Sequence, residues 1–476
     1  MSSRGDAARR QHLSMKTIEV RSPFDGRKVG EVSIRNRKQV EEVLERASAV
    51  FADRSKWLTI PQRVEILEKF EKLLEANQEK LIQQAVAEGG KPFLDTKAEL
   101  LRAIDGVQVA IRTIPQLLGR EIPMNLNEAS MGRMAYTFRE PLGVVSAISA
   151  FNHPINLIIH QVVPAIASGC PVIIKPASKT PLSCFSLVEL LYQAGLPREW
   201  CQAVFCSNDD AEVLATDPRV SFLSFIGSAK VGWGLRRKLA AGAGCALEHG
   251  GVAPVVVEAD ANLEVAVPLL VKAGFYHAGQ VCVSVQRIYA HESLTKKLAE
   301  QMALKAGKLV VGDPANPKTE VGPLISHSEC QRVSDWVDEA VKKGAKLLCG
   351  GKKISDSCYA PTVLWNPPED AKVSREEVFG PVVCVYSYKK PEEAVRRANS
   401  LPFCFQAAVF TKNIDQAFYY VRHLQATAVM VNDHTAFRVD WMPFGGRMES
   451  GLGMGGIPQS MTEMTGEKMF VLRTSS

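Results

Sequence analysis

GVVSAISAFNHPINLIIHQVVPAIASGCPVIIK, residues 143–175, decides the fold. Two short apolar runs, GVVSAISA and CPVIIK, flank a longer one, NLIIHQVVPAIAS. Runs of this short length read as buried strands, and the longer run reads as a helix. Gly169 follows the helical stretch and fits its C-cap, because glycine enters a left-handed backbone without steric cost. A strand, a helix and a second strand in this order make a parallel pair with a crossover.

Working outward, the alternation continues through LSCFSLVELLYQA, QAVFCS, DAEVLAT, VSFLSFIG, KVGWGLRRKLAA and GCALEHGG. The pattern is that of a doubly wound, mainly parallel sheet, with a ligand expected at the carboxyl ends of its strands. A second alternation starts near 252 with APVVVEA and a helical stretch, LEVAVPLLVKAGFYHAG, that stops just before Cys282. It goes on through RIYAH, KLAEQMALKAGKL, VSDWVDEAVKKGAKLLCGG, PVVCVYSY, PEEAVRRANS, QAAVFT and IDQAFYYVRHL, giving a second α/β unit. Residues 37–84 read as helical, and 314–325, 350–361 and 433–459 read as loops. MAYTFREP (134–141) and EKMFVLR near the end read as strands outside both blocks. They pair with each other or with another subunit.

The chain has 476 residues, 46% apolar and 23% charged, an ordinary globular composition large enough for two or three domains. The net charge of +6 is spread along the chain with no dense basic run, so nucleic acid is not an expected partner. No apolar run reaches the roughly 18 residues of a membrane span. Eleven scattered cysteines form no CxxC pair and no zinc spacing with histidine, so no metal is expected. An odd set of thiols with no signal peptide fits a reducing compartment, the cytoplasm. The opening MSSRGDAARRQHLSMK is arginine-rich and lacks an apolar h-region. It is expected to be a frayed tail, although it could mimic a transit peptide.

Several residues carry chemistry at expected strand ends. Cys282, in GQVCVSVQR, is either a small buried filler or a nucleophile. Glu248, in LEHGG, is either a solvated strand-end carboxylate or a partly buried general base. Asn152, in AFNHPIN, either caps the following helix or aims its amide into the crevice as an oxyanion donor. Lys175 ends VIIK and either snorkels at the sheet rim or meets a nucleotide hydroxyl. In FIGSAKVG, Gly227 lets a ligand approach the backbone, Ser228 can cap the next helix, and the helix-start amides favour a pyrophosphate.

Taken together, these segments resemble the NAD(P)-dependent aldehyde dehydrogenase superfamily. The resemblance runs from about residue 20 to the end. It rests on EGGKP (88–92), FNHP (151–154), IIKPASKTP (173–181), FIGS (225–228), LEHGG (247–251), GQVC (279–282), GPLI (322–325), EEVFGP (376–381) and MPFGG…SGLG (442–453), in that order. GQVCVSVQR and MTEMTGEK look most like the lactaldehyde and non-phosphorylating glyceraldehyde-phosphate branch.

The resemblance implies a fold of two doubly wound α/β domains and a small β flap. The cofactor domain would take residues 1–121 and 142–250, the catalytic domain 251–446, and the oligomerisation flap 122–141 and 460–476. A homodimer or homotetramer follows. Cys282 is implied as nucleophile, Asn152 and the Cys282 backbone N–H as the oxyanion hole, and Glu248 as the base that hydrolyses the thioester. Lys175 and Glu377 would hold the cofactor riboses, Phe379 would lie beside the nicotinamide ribose, and Gly227 and Ser228 would form the pyrophosphate turn.

This sequence departs from the family pattern at His249 after the base, at His153 after the oxyanion asparagine, and at Ile226 in the turn. Ser178 and then Lys179 stand where NAD-preferring members often carry a glutamate, so both NAD and NADP are expected cofactors. Arg438, in NDHTAFRVDWMPFGG (432–446), either binds an anionic substrate tail or pairs with Asp440 as a loop brace. The expected substrate is a small aldehyde with a polar or anionic tail, of the lactaldehyde, semialdehyde or phosphonoaldehyde type. The alternatives are a CoA-acylating relative and a catalytically silent protein of the same fold.

Overall fold

The computed structural model describes residues 16–473. The opening segment that could mimic a transit peptide falls outside the described residues, apart from Lys16. The first block folds into five parallel strands, β1 (Val144–Ile148), β2 (Val172–Lys175), β3 (Cys201–Ala203), β4 (Val220–Ile226) and β5 (Gly244–Glu248). Their spatial order is β5-β4-β1-β2-β3. The chain therefore winds from β1 toward one edge, returns across β1, and winds toward the other. Between β1 and β4 the connections leave in opposite directions, and a crevice opens at the carboxyl ends of the strands.

The helix Asn156–Ser168 follows β1 and is buried along its whole length. Gly169 ends it at φ 88, as the sequence predicts. The expected helical region 37–84 holds the helices Arg37–Ala52 and Ile60–Ala76 and part of Gln78–Gly89. Several elements have no counterpart in the sequence reading, among them the short strands Thr362–Trp365 and Ala428–Val431 and two larger elements. One is the hairpin Thr17–Arg21/Lys28–Ser33. The other is the 21-residue helix Phe93–Thr113, which buries Thr96 and Glu99 along with its apolar face and so blurs its periodicity.

The second block forms a seven-stranded sheet. Its spatial order is Lys346–Cys349, Thr362–Trp365, Val382–Tyr388, Arg287–His291, Pro254–Val257, Gln406–Phe410 and Ala428–Val431. All neighbours are parallel except the first pair. The two outlying strands pair with each other: Arg133–Pro141 lies antiparallel to Thr465–Arg473 through nine residue pairs, and Glu121–Ile122 adds a third strand.

The expected loop 433–459 is more structured than its composition suggests. Gly451–Leu452 pairs antiparallel with Glu248–Leu247 at the edge of β5, and a helix starts at Ile457. A two-residue strand has no periodicity to read; the open edge of β5 imposes it. Among the described residues, no helix is long and apolar enough to cross a membrane.

Candidate active site

A cleft of about 980 Å³ opens at the crevice between β1 and β4 and is lined by all ten candidate residues of the sequence. The loop with Cys282 joins the helix Leu263–Phe275 to the strand Arg287–His291. A tight 3-10 turn precedes it, in which His277 and Ala278 take positive φ. Gly279 is required there: a Cβ would lie 2.1 Å from the Gly380 carbonyl oxygen.

The Cys282 thiol points at Glu248, with Sγ 3.9 Å from Oε1. Burial pushes the thiol well up, the Glu248 charge adds to the push, and Arg438 opposes it. Burial also raises the Glu248 carboxyl, against the pull of Arg438 and of the thiol contact. Of the thiol's neighbours, Arg438 favours the thiolate, while Glu248 disfavours it by charge and is the nearest group able to take its proton. The Cys282 backbone N–H donates to no carbonyl among the described turns and loops and lies beside its own sulfur.

Asn152 is buried and does not cap the helix after β1. That duty falls to Glu99, whose Oε1 accepts the N–H groups of Ile155 and Asn156 at 2.8 and 2.9 Å. The Asn152 amide instead donates to the Gln280 carbonyl at 2.9 Å, leaving its second N–H for a ligand. Gln280 is itself fixed, donating to the carbonyls of His277 and Pro323 and accepting from Ile325 N–H. Glu248, at the end of β5, is held on both sides. Its carbonyl accepts the Gly227 N–H at 3.0 Å, and Gly451 pairs with it across the other edge.

The other candidates line the rest of the cleft. Lys175 is buried, yet its ammonium has only a 3.5 Å contact to the Pro176 carbonyl, and burial lowers its pKa. An ammonium so poorly partnered in a cleft fits ribose hydroxyls. The Gly227 N–H is already spent on Glu248, so its contribution is the absence of a side chain. Ser228 sits at the N-cap of the helix Ala229–Arg236, but its side chain makes no capping bond, a correction to the sequence reading. The amides of Ala229 and Lys230 have no protein acceptor among the described residues, which leaves them free to donate to an anion.

Glu377 accepts the Gly251 N–H at 3.3 Å, and burial pushes its carboxyl up to about 8. Phe379, at φ 45, meets Phe151 edge-on at 5.8 Å. Ser178 is exposed on the cleft lining, while Lys179 lies outside it. These features fit an NAD(P) cofactor. Among the described residues no group of His, Cys, Asp or Glu is arranged to hold a metal.

Arg438 does not brace Asp440. Its guanidinium stacks 3.6 Å from the Phe444 ring centroid, Nη2 approaches His160 Nδ1 at 3.4 Å, and Nε is buried without a partner. Asp440 is held by other groups, accepting from Arg102 Nη2 at 2.7 Å and Nε at 3.2 Å and from His160 Nε2 at 2.7 Å. Arg102, missed by sequence reasoning, brings a second guanidinium to the cleft from the helix Phe93–Thr113. Nothing in its local sequence marks it; only the packing of that helix does. Thr435 donates to the Val283 carbonyl at 2.6 Å and so ties the Arg438 loop to the Cys282 loop.

His249 does not touch the Glu248 carboxylate. Its Nδ1–H donates to the Glu449 carbonyl at 2.9 Å, and its ring meets Phe225 and Trp233 edge-on. Its slot exists because residue 232 is glycine: a Cβ there would lie 2.1 Å from His249 Nε2.

Residues 10–470 match the aldehyde dehydrogenase family. A 3-sulfolactaldehyde dehydrogenase of Priestia megaterium is 37% identical over 458 residues, 96% of this chain and 94% of that protein. Among solved structures, aldehyde dehydrogenase 21 of Physcomitrella patens, in complex with the reaction product succinate, superposes with a TM-score of 0.93 at 35% identity. That match covers 97% of this chain and 96% of the other. The glyceraldehyde-3-phosphate dehydrogenase of Methanocaldococcus jannaschii, complexed with NADP, has a TM-score of 0.91 at 33% identity, over 96% of this chain and 99% of that one.

Proposed function

The chain belongs to the aldehyde dehydrogenase family, an NAD(P)-dependent enzyme family, and on that premise we propose that it oxidises a small aldehyde with an anionic tail to the corresponding carboxylic acid. Cys282 Sγ attacks the aldehyde carbon as its proton passes to the Glu248 carboxylate. The oxyanion takes the free N–H of the Asn152 amide and the Cys282 backbone N–H; loss of one such donor costs about 10²–10³ in rate in other enzymes. A bound NAD(P) would supply the hydride acceptor at this cleft. Once Glu248 has released that proton to solvent, its carboxylate draws a proton from water, and the hydroxide cleaves the thioester and frees the thiolate. The presence of Glu248 beside Cys282 supports hydrolysis over transfer to CoA.

Lys175 and Glu377 hold the riboses, Phe379 packs beside the nicotinamide ribose, and Gly227 with Ser228 shapes the pyrophosphate turn. Ser178 permits both NAD and NADP, because no carboxylate stands at that position to repel a 2′-phosphate. The cofactor domain comprises 1–121 and 142–250, the catalytic domain 251–446 and the flap 122–141 and 460–476, the flap joining copies into a dimer or tetramer. Eleven free thiols agree with a reducing cytoplasm.

The observation that carries the substrate class is Arg438. Its charge bears on Glu248 and Cys282, and it has no carboxylate of its own, Asp440 being engaged elsewhere. The names of similar proteins, a sulfolactaldehyde dehydrogenase and an enzyme holding succinate, agree with an anionic tail. The test is NAD(P)H absorbance with sulfonated, phosphonated, carboxylated and uncharged aldehydes of equal length. Arg438→Leu and Arg102→Leu should each raise KM about tenfold or more for the anionic aldehydes, and about twofold or less for the uncharged one. A wild type that prefers long apolar aldehydes would refute the reading, and Cys282→Ala should bind cofactor without turnover.

A further inference from the structure

A buried polar cluster lies behind the oxyanion asparagine, and the reaction as described makes no use of it. Lys91 is 1% exposed. Its ammonium reaches Glu99 Oε2 at 2.8 Å and His153 Nδ1 at 2.7 Å, and lies 5.2 Å from the centroid of the Tyr276 ring. An ammonium has three donors and no acceptor; two go to Glu99 and His153, and the charge also lies near the Tyr276 ring. Burial disfavours the charge on Lys91, but the Glu99 carboxylate and Tyr276 more than offset it, and the group stays an ammonium.

His153 Nδ1 must then be the bare, accepting nitrogen, and the ring proton sits on Nε2. A protonated imidazole would turn an N–H toward the ammonium at 2.7 Å, which two donors cannot sustain. Burial and the Lys91 charge, with His277, Arg102 and Arg438 behind them, all hold His153 neutral. The ring lines the cleft with 13% of its side chain open. Its Nε2 has no protein partner and is not among the sealed polar atoms. A fixed N–H therefore faces the space that Arg102 and Arg438 also border.

We propose that Lys91 positions His153 as a neutral imidazole whose Nε2–H is a specificity-determining donor to an acceptor oxygen on the substrate tail. The inference rests on the anionic-tail reading and names a third donor beside the two guanidiniums. A neutral donor adds a directed bond to the tail without adding a third positive charge to the cleft.

The pair His153→Asn and His153→Gln tests it. Asparagine keeps an acceptor near Nδ1 for Lys91 and removes the pocket-facing N–H; glutamine returns an N–H near Nε2. His153→Asn should raise KM for an anionic aldehyde about tenfold, with kcat and the uncharged aldehyde changed about twofold or less. His153→Gln should recover most of that loss. In ¹⁵N-histidine spectra between about pH 6 and 9 the His153 ring should keep Nε2 protonated, and Lys91→Met should let it titrate. If Arg438→Leu abolishes the anionic preference while His153→Asn leaves it intact, this inference fails and the anionic-tail reading stands. An equal loss of kcat on both aldehydes would place His153 in the support of Asn152 and overturn the inference. If neither arginine nor His153 affects the preference, both fall.

Discussion

Glu248 and Cys282 are 3.9 Å apart in a site whose burial disfavours charge on either. Arg438 is the group that opposes this on both. The sign is fixed: a nearby cation favours the carboxylate and the thiolate, so removing it raises both pKa values. The acid limb of the kcat profile, where Glu248 must be ionised to activate water, should lie above the ordinary 4.5 of a glutamate. Arg438→Leu should move that limb to higher pH, and a limb that stays put or moves down would show that its charge is not felt at the base. Glu248→Gln should remove the limb and let acyl-enzyme accumulate, which intact-mass spectrometry detects. At this scale the sequence was legible where a motif pairs a residue type with a strand end, as for Cys282, Glu248 and Asn152. Arg102 and Lys91 were not assigned roles, because their neighbours lie about 338 and 62 residues away along the chain.

The turn after β5 shows how an element fixes Glu377, the proposed ribose-binding residue. Glu377 stands against Gly250 so closely that a Cβ there would lie 1.7 Å from its Oε1, and Gly251 N–H holds the same oxygen. Gln286 secures the segment that carries Glu377. It donates to the carbonyls of Val373 and Glu376 and accepts from Val378 N–H. Gly250→Ala should displace Glu377 and raise KM for the cofactor about tenfold or more, with the fold intact by circular dichroism. An unchanged cofactor KM would separate Glu377 from cofactor binding. The helices and strands of 143–248 were readable because the buried strands are short apolar runs and the helices, even the fully buried Asn156–Ser168, are longer ones. The strand Gly451–Leu452 and the helix Phe93–Thr113 were not, since one is set by a partner edge and the other buries polar residues.

Across the whole molecule, the flap leaves Met134, Phe138, Met469, Phe470 and Leu472 exposed, and Thr465–Arg473 is the edge strand of its sheet. An exposed apolar edge of this kind favours association between copies. Phe470→Asp with Leu472→Asp should shift the protein to a smaller species by light scattering, and an unchanged mass would place the contact elsewhere. The far end of the chain also completes the near end. Gly451–Leu452 closes the edge of β5 beside Glu248, Ile457 and Met461 fill the first core, and Thr465–Arg473 pairs with Arg133–Pro141. Support for the carboxylate beside Cys282 is therefore shared with segments some two hundred residues away in sequence, and loosening Gly451–Leu452 or Ile457 should disturb the site and the first core together.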